Sequence, residues 1–337
     1  MGNSCLTSNK KINVNRGMNI DTDNVEIRFE SYLSKIVKKQ RNIIINWEAK
    51  NKTEKYHWWP MLNKRNNDYI NNLYAKGGGL YKYDILFGTN SIEMQKKHYM
   101  INSDSTRTDK NWAGFCNNAS VLSCLYEYPK YPVIVLHNKK EIKFHPRDIE
   151  SLMIVCSDNA VQKRLTLFFG ERNDEFIGDD ESEPYPSQFL KMLKIMCCDE
   201  EPFIMDIDSG VSVWNYSFDR VIVEKHTSCS IKNTAPTHGV NEFYNFKIYS
   251  QAYPEKNQDL WGYINTKNVP YSLEKSNDKI IKEGWISAKH PDFIWKKFKN
   301  ESSWSGYSNI NSEILSSIVY KIYKQSLIKD KNKLSIQ

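Results

Sequence analysis

The chain has 337 residues, 40% of them hydrophobic and 13% aromatic, which is enough to bury one large or two ordinary cores and too apolar for a disordered chain. Its 47 Lys and Arg exceed its 40 Asp and Glu for a net charge of +7, but the basic residues are scattered without a long block of like charges, so no nucleic-acid partner is implied; ordinary solvated lysine faces are the leading reading of the surplus, ahead of an acidic protein substrate or an anionic membrane surface. The seven cysteines are odd in number and lack paired CxxC spacing, which argues against a disulfide framework and a zinc site and for a reducing, cytoplasmic compartment.

Residues 1–20 are polar and rich in Asn and Lys, which reads as a disordered leader. They hold no apolar core of a secretory signal, and no run in the chain approaches the ~18 apolar residues of a membrane span. The first six residues, MGNSCL, resemble an acylation signal. Gly2 would become the terminal amine and Cys5 could take a second acyl chain, and two chains make a stable membrane anchor. Leu6 occupies the usual hydroxyl position, with the hydroxyl one later at Thr7, and an ordinary flexible terminus is the other reading.

Residues 21–50 are expected as an N-terminal helix, since Val25, Phe29, Leu33, Ile36 and Val37 fall on one helical stripe behind the cap candidates of Asp21-Thr22-Asp23. Residues 51–55 are a polar break. Gly77-Gly78-Gly79 lacks the GxxxxGK[ST] arrangement that cradles a phosphate, so it reads as a turn. Residues 117–125 read as a short helix with Ala119, Val121 and Leu122 inward, and 132–136 as a buried strand. Residues 174–186 are an acidic surface loop and 188–196 a helix, while 202–208 and 211–214 are two strands about a Ser209-Gly210 turn. Aromatic alternation over 241–264 predicts further strands. Residues 311–328 close the chain as an amphipathic helix bearing Ile314, Leu315, Ile318, Val319 and Ile322 behind an Asn311 or Ser312 cap. Helices first and then mainly strands indicate an α+β core.

One segment stands out chemically, Asn111-Trp112-Ala113-Gly114-Phe115-Cys116-Asn117-Asn118-Ala119-Ser120. Cys116 follows a glycine-containing turn at the start of a predicted helix. There the helix dipole and the first N–H groups stabilise a thiolate, lower its pKa and can bind an oxyanion. The bland reading, an inert buried thiol, stays open. A thiolate nucleophile needs an imidazole partner held by a carboxylate or amide. His57 and His98 lie upstream, His137 and His145 flank the strand after the cysteine helix, and His226, His238 and His290 lie further on, past the possible orienters Asp206, Asp208 and Asn215.

At Trp112-x-Gly114-x-Cys116-Asn117 the sequence resembles the transglutaminase elicitor family of oomycetes and its bacterial relatives. Similar blocks recur in order: HWWPMLN (57–63), KYDILFG (82–88), Pro132-Val133 with Phe144 and Asp148-Ile149, Phe169-Gly170-x-Arg172, Phe203-x-x-Asp206 with Val213-Trp214-Asn215, and Gly284-Trp285 with His290-Pro291-Asp292-Phe293-x-Trp295. The chain departs from the pattern at Asn118-Ala119-Ser120, at Tyr216-Ser217, and at Phe189-Leu190, where the family has a Phe-His pair.

The resemblance, which spans about residues 57–295, implies a papain-like or transglutaminase-like core, placed over 51–300, with the nucleophile cysteine at a helix N-terminus packed on an antiparallel sheet; the amphipathic helix and tail follow over 301–337. It also implies acyl transfer. Cys116 would attack the carboxamide of a glutamine supplied by a protein substrate, ammonia would leave, and a lysine or other amine acceptor, or water, would resolve the thioester. His238 and His290 are the candidates for the base, with Asp206 and Asn215 as partners. Residues 104–109 lack the glycine of a calcium loop, and no metal or cofactor is expected. A cysteine deamidase or protease, and a catalytically inactive binding module anchored at a membrane, are the alternatives.

Overall fold

Three consecutive isoleucines, Ile43-Ile44-Ile45, begin the observed architecture as a strand, β1 (Arg41–Glu48), because β-branched side chains suit a pleated, half-buried surface. The computed structural model describes residues 41–60, 73–102, 114–157, 166–170, 184–207, 213–227, 240–250, 257–269, 277–287, 290–297, 304–308, 311–330 and 333–337. The helix expected over 21–50 therefore does not extend to its end. Its first part, the leader with Gly2 and Cys5, Trp112, the Ser209-Gly210 turn, Asp208 and His238 lie outside the described residues, as does most of the acidic loop.

The helices among the described residues are α1 (Gly79–Phe87), α2 (Ser91–Asn102), α3 (Cys116–Leu125), α4 (Pro146–Cys156), α5 (Pro186–Met196) and α6 (Ser316–Ser326). The strands after β1 are β2 (Val133–His137), β3 (Lys140–Phe144), β4 (Thr166–Gly170), β5 (Phe203–Asp206), β6 (Asn215–Phe218), β7 (Arg220–Thr227), β8 (Val240–Tyr249), β9 (Gln258–Val269), β10 (Asn277–Trp285), β11 (Phe293–Lys297) and β12 (Lys333–Ser335). Helices and mainly antiparallel sheets together make an α+β fold.

Strands β2 and β3 form a hairpin closed by Asn138 and Lys139, both at positive φ (46° and 64°), the two-residue turn whose twist matches the strands it joins. Strand β12 adds to β2 in parallel. Helix α4 starts on Pro146, with the Asp148 carboxylate accepting the His145 N–H at 2.7 Å, and every residue from Asp148 to Cys156 is buried. It centres a cluster in which Leu80 and Tyr83 of α1, Leu122 of α3, Val133 and Val135 of β2, and Val319 and Ile322 of α6 pack together.

A second cluster lies on the five-stranded antiparallel sheet β1-β7-β8-β9-β10. Val221, Val223, Phe246, Ile248 and Leu260 face Phe189, Leu193 and Met196, the i, i+4, i+7 stripe of α5. The start of α5 is fixed by Glu283 of β10, which accepts from both the N–H and the hydroxyl of Ser187 at 2.9 Å.

The sheet that matters for the site is four-stranded, β4-β11-β5-β6, with Asp206 of β5 opposite Phe293 of β11 on one side and Asn215 of β6 on the other. Helix α3 lies across it, sealing Val121 and Cys124 against Ile204, Phe293 and Trp295. Two expectations are corrected here. The strand predicted at 211–214 begins at Asn215, leaving Val213 and Trp214 outside regular structure. The last helix begins at Ser316 rather than behind Asn311, because the Asn311 amide is drawn inward to donate to Ser91 O at 2.8 Å and Gln95 Oε1 at 2.9 Å.

Candidate functional site

Cys116 is the first residue of α3, and the turn before it is stitched to a distant segment. The Phe115 N–H points at the carbonyls of Trp58 (2.6 Å) and Trp59 (3.0 Å), and Gly114 bridges to Pro60. Gly114 has to be glycine: an added Cβ would sit 1.9 Å from the Trp58 ring. The ring of Trp58 in turn meets Trp214 edge-on, with centroids 5.7 Å apart.

These two indoles flank an open cleft. Cys116, Ser120 and Ser123 of α3 meet Asn215, Tyr216 and Ser217 of β6 in it, with Tyr56 contributing from the segment before the tryptophans. The hydroxyls are engaged. Ser120 Oγ donates to Asn215 O at 2.8 Å, and Ser123 Oγ lies 2.6 Å from Glu54 O and 2.8 Å from Ser217 Oγ. They fasten α3 to β6 and to residues 53–57.

Around the sulfur, the Cys116 thiol donates to Val213 O at 3.6 Å, and Asn215 Nδ2 donates to Sγ at 3.8 Å. The other end of the Asn215 amide is taken: its Oδ1 accepts the Trp295 indole N–H at 2.8 Å. Asp206, fully buried, accepts the Trp214 backbone N–H at 3.0 Å and so shapes the strand entry that carries Val213 and Asn215.

Burial pushes Cys116 above its ordinary value, and the nearby Asp206 carboxylate adds to the rise; the N–H and amide of Asn215 and the N–H of Asn117 oppose it without overcoming it. A position at a helix N-terminus acts in the lowering direction as well.

The candidates divide clearly. Cys116 and Asn215 meet directly, and Asp206 is the partner of Asn215 across the neighbouring strands of the sheet. His290, just before β11, stacks on Trp285 with centroids 6.0 Å apart and planes 11° from parallel, and it does not line the cleft. His57 is buried beside Trp58 and Trp59 and is pushed down to about 4 by burial and then by Arg147. His137 bonds to Ile336 O at 3.0 Å, His145 caps α4, and His226 lies on β7 against Trp261. Among the described residues, none of the cleft's lining side chains is a histidine. His238 lies outside those residues.

Sequence reasoning quoted Val213, Ser120 and Ser217 only within longer blocks and assigned no part to Tyr56 or Ser123. Trp295 was quoted only as part of the HPDFIW block, and its indole N–H was the signal to follow, since a buried indole usually finds an acceptor. Among the described residues no group of three or more His, Cys, Asp or Glu could hold a metal ion, and no helix is long and apolar enough to cross a membrane. No family model matches the chain, and no curated protein or solved structure does either.

Proposed function

We propose that the chain is a transglutaminase-like acyltransferase, a protein-glutamine gamma-glutamyltransferase, with Cys116 as its nucleophile. The observation that carries this reading is a cysteine opening a helix that lies on an antiparallel sheet, at the side of an aromatic cleft, with a carboxamide N–H aimed at its sulfur. The ordered blocks over residues 57–295 support it, as they do a papain-like core.

In the proposed reaction the Cys116 sulfur attacks the side-chain carbonyl carbon of a glutamine. A C–S bond forms, the C–N bond breaks, and the thiol proton leaves with ammonia. A lysine amine then attacks the thioester and restores the thiol, or water does so and yields glutamate. The Asn117 N–H, in the first turn of α3 and directed at the Cys116 sulfur, suits the developing oxyanion, whereas the Asn118 N–H is held by Asn117 Oδ1 at 2.8 Å. His238 and His290 are the candidates for carrying the proton.

A second reading, a binding module without catalysis, is favoured by two observations: the raised thiol and the absence of histidine among the described cleft residues. Acylation at Gly2 and Cys5 would place either protein at a membrane. Incubation with a glutamine-bearing protein and a labelled primary amine separates the readings. Incorporation that disappears in Cys116→Ala supports the transferase, glutamate formation without incorporation points to the deamidase, and inert glutamine points to the binding module.

A further inference from the structure

The side-chain amide of Asn215 is asymmetric in its surroundings. Trp295, 6% exposed, points its indole N–H at Oδ1 from 2.8 Å, which leaves Nδ2 to face Cys116 Sγ at 3.8 Å. An indole can only donate, so it accepts one amide orientation and rejects the flipped one, in which two N–H groups would confront each other. The residues come from three neighbouring elements: Trp295 from β11, Asn215 from β6 and Cys116 from α3.

We propose that Trp295 is a positioning residue of the cysteine site, locking Asn215 so that its amide nitrogen is a fixed donor to the Cys116 sulfur. The inference rests on Cys116 being the reacting group. Its consequence follows from the two contacts at the sulfur. In the thiol state the S–H is given to Val213 O and the sulfur accepts from Asn215 Nδ2. When the proton leaves, Val213 O loses its donor and faces an anion, whereas the Asn215 contact becomes a charge-assisted bond. Asn215 therefore favours the thiolate, and Val213 favours the thiol. The charged group acting on the sulfur from the sheet is Asp206, which also favours the thiol. Without Trp295, the Asn215 amide is free to rotate and present its oxygen to the sulfur, a second group favouring the thiol.

The test is the rate of Cys116 alkylation by iodoacetamide against pH in the full chain, read by peptide mass spectrometry. Trp295→Phe keeps an aromatic ring and removes the donor. It is expected to slow alkylation below the midpoint by about tenfold, with the midpoint moved up by about one pH unit. In an Asn215→Leu background the same substitution is expected to have no further effect, because no amide is left to orient. A Trp295→Phe profile that overlays the parent's, or an equal slowing with and without Asn215, would overturn the proposal, since packing alone would then explain it. Should Trp295→Phe fail to fold, Asn215→Asp decides: a carboxylate in place of the donor is expected to move the midpoint up, and an unmoved midpoint overturns the proposal. These readouts need no acyl transfer. A shifted profile in a protein that transfers nothing defeats only the transferase reading, and an unshifted profile in an active transferase defeats only this one.

Discussion

The Trp58 ring lies directly on the Cα of Gly114, two residues before the cleft cysteine, at a spacing that leaves no room for a methyl group. That contact ties a segment more than fifty residues upstream to the start of α3. It sets both the position of Cys116 and one wall of the cleft. Gly114→Ala is expected to push the indole aside and to destabilise the protein by about 1–3 kcal/mol, as overpacking does. Urea unfolding measures the loss, and a variant as stable as the parent would mean that the turn relaxes without moving Trp58.

His57 gives stability a pH dependence. Folded, it titrates near 4; unfolded, it returns to 6.5. As pH falls the unfolded chain therefore takes up the proton first, so the contribution is whole above 6.5 and is lost between 6.5 and 4. The loss amounts to up to about 3 kcal/mol. Glu150, raised by burial, works in the opposite direction, so the comparison has to be with His57→Gln, which is expected to hold its stability better than the parent over that window. Parallel curves in denaturant series at pH 7 and 4.5 would contradict this.

Arg147 joins two buried groups. Its guanidinium lies 4.3 Å from the centroid of the Trp59 ring and bonds to Glu150 at 2.8 Å, while Glu150 also accepts from the His57 N–H and the Tyr128 hydroxyl. Arg147→Met removes the cation and leaves a carboxylate that is fully buried. A loss of about 1–3 kcal/mol is expected, because the stranded group keeps its desolvation cost. Arg147→Met with Glu150→Gln should recover part of it, and a thermal melt of both variants shows whether it does.

The thiol shift sets the reactivity of the free site. With Cys116 raised by burial, alkylation is expected to be slow at pH 7 and to climb only above the ~8.5 of an unperturbed thiol. A rate already at its plateau at pH 7 would mean that a group outside the described residues stabilises the thiolate.

Periodicity revealed the elements whose stripe is built from neighbouring residues. The helix read at 188–196 starts two residues earlier as α5, whose buried stripe is Phe189, Leu193 and Met196, and the helix at 117–125 emerged within one residue of α3. It failed where a remote partner decides. Asn311 looks like a cap until Gln95 and Ser91, over two hundred residues away, take its amide. The stripe that suggested a helix ends at Val37, and the isoleucines of β1 beyond it belong to a strand that pairs with the remote β7. At the site, Cys116 and Asn215 were both named from the sequence, but their contact spans 99 positions and Val213 is 97 away. The dipole of a helix can be read locally. The desolvation that pushes the Cys116 thiol up is assembled from distant segments, which local spacing does not register.

The most direct measurement is incorporation of a labelled primary amine into an unstructured, glutamine-rich protein by the full chain, beside its Cys116→Ala and Cys124→Ala variants. Cys124 lies in the interior of the same helix, buried against the sheet, and serves as the control for loss of a thiol as such. The expected result is incorporation by the parent and Cys124→Ala, with none by Cys116→Ala. Equal incorporation with and without the Cys116 thiol, or none by the parent across pH 6 to 9, would contradict a nucleophilic role for Cys116.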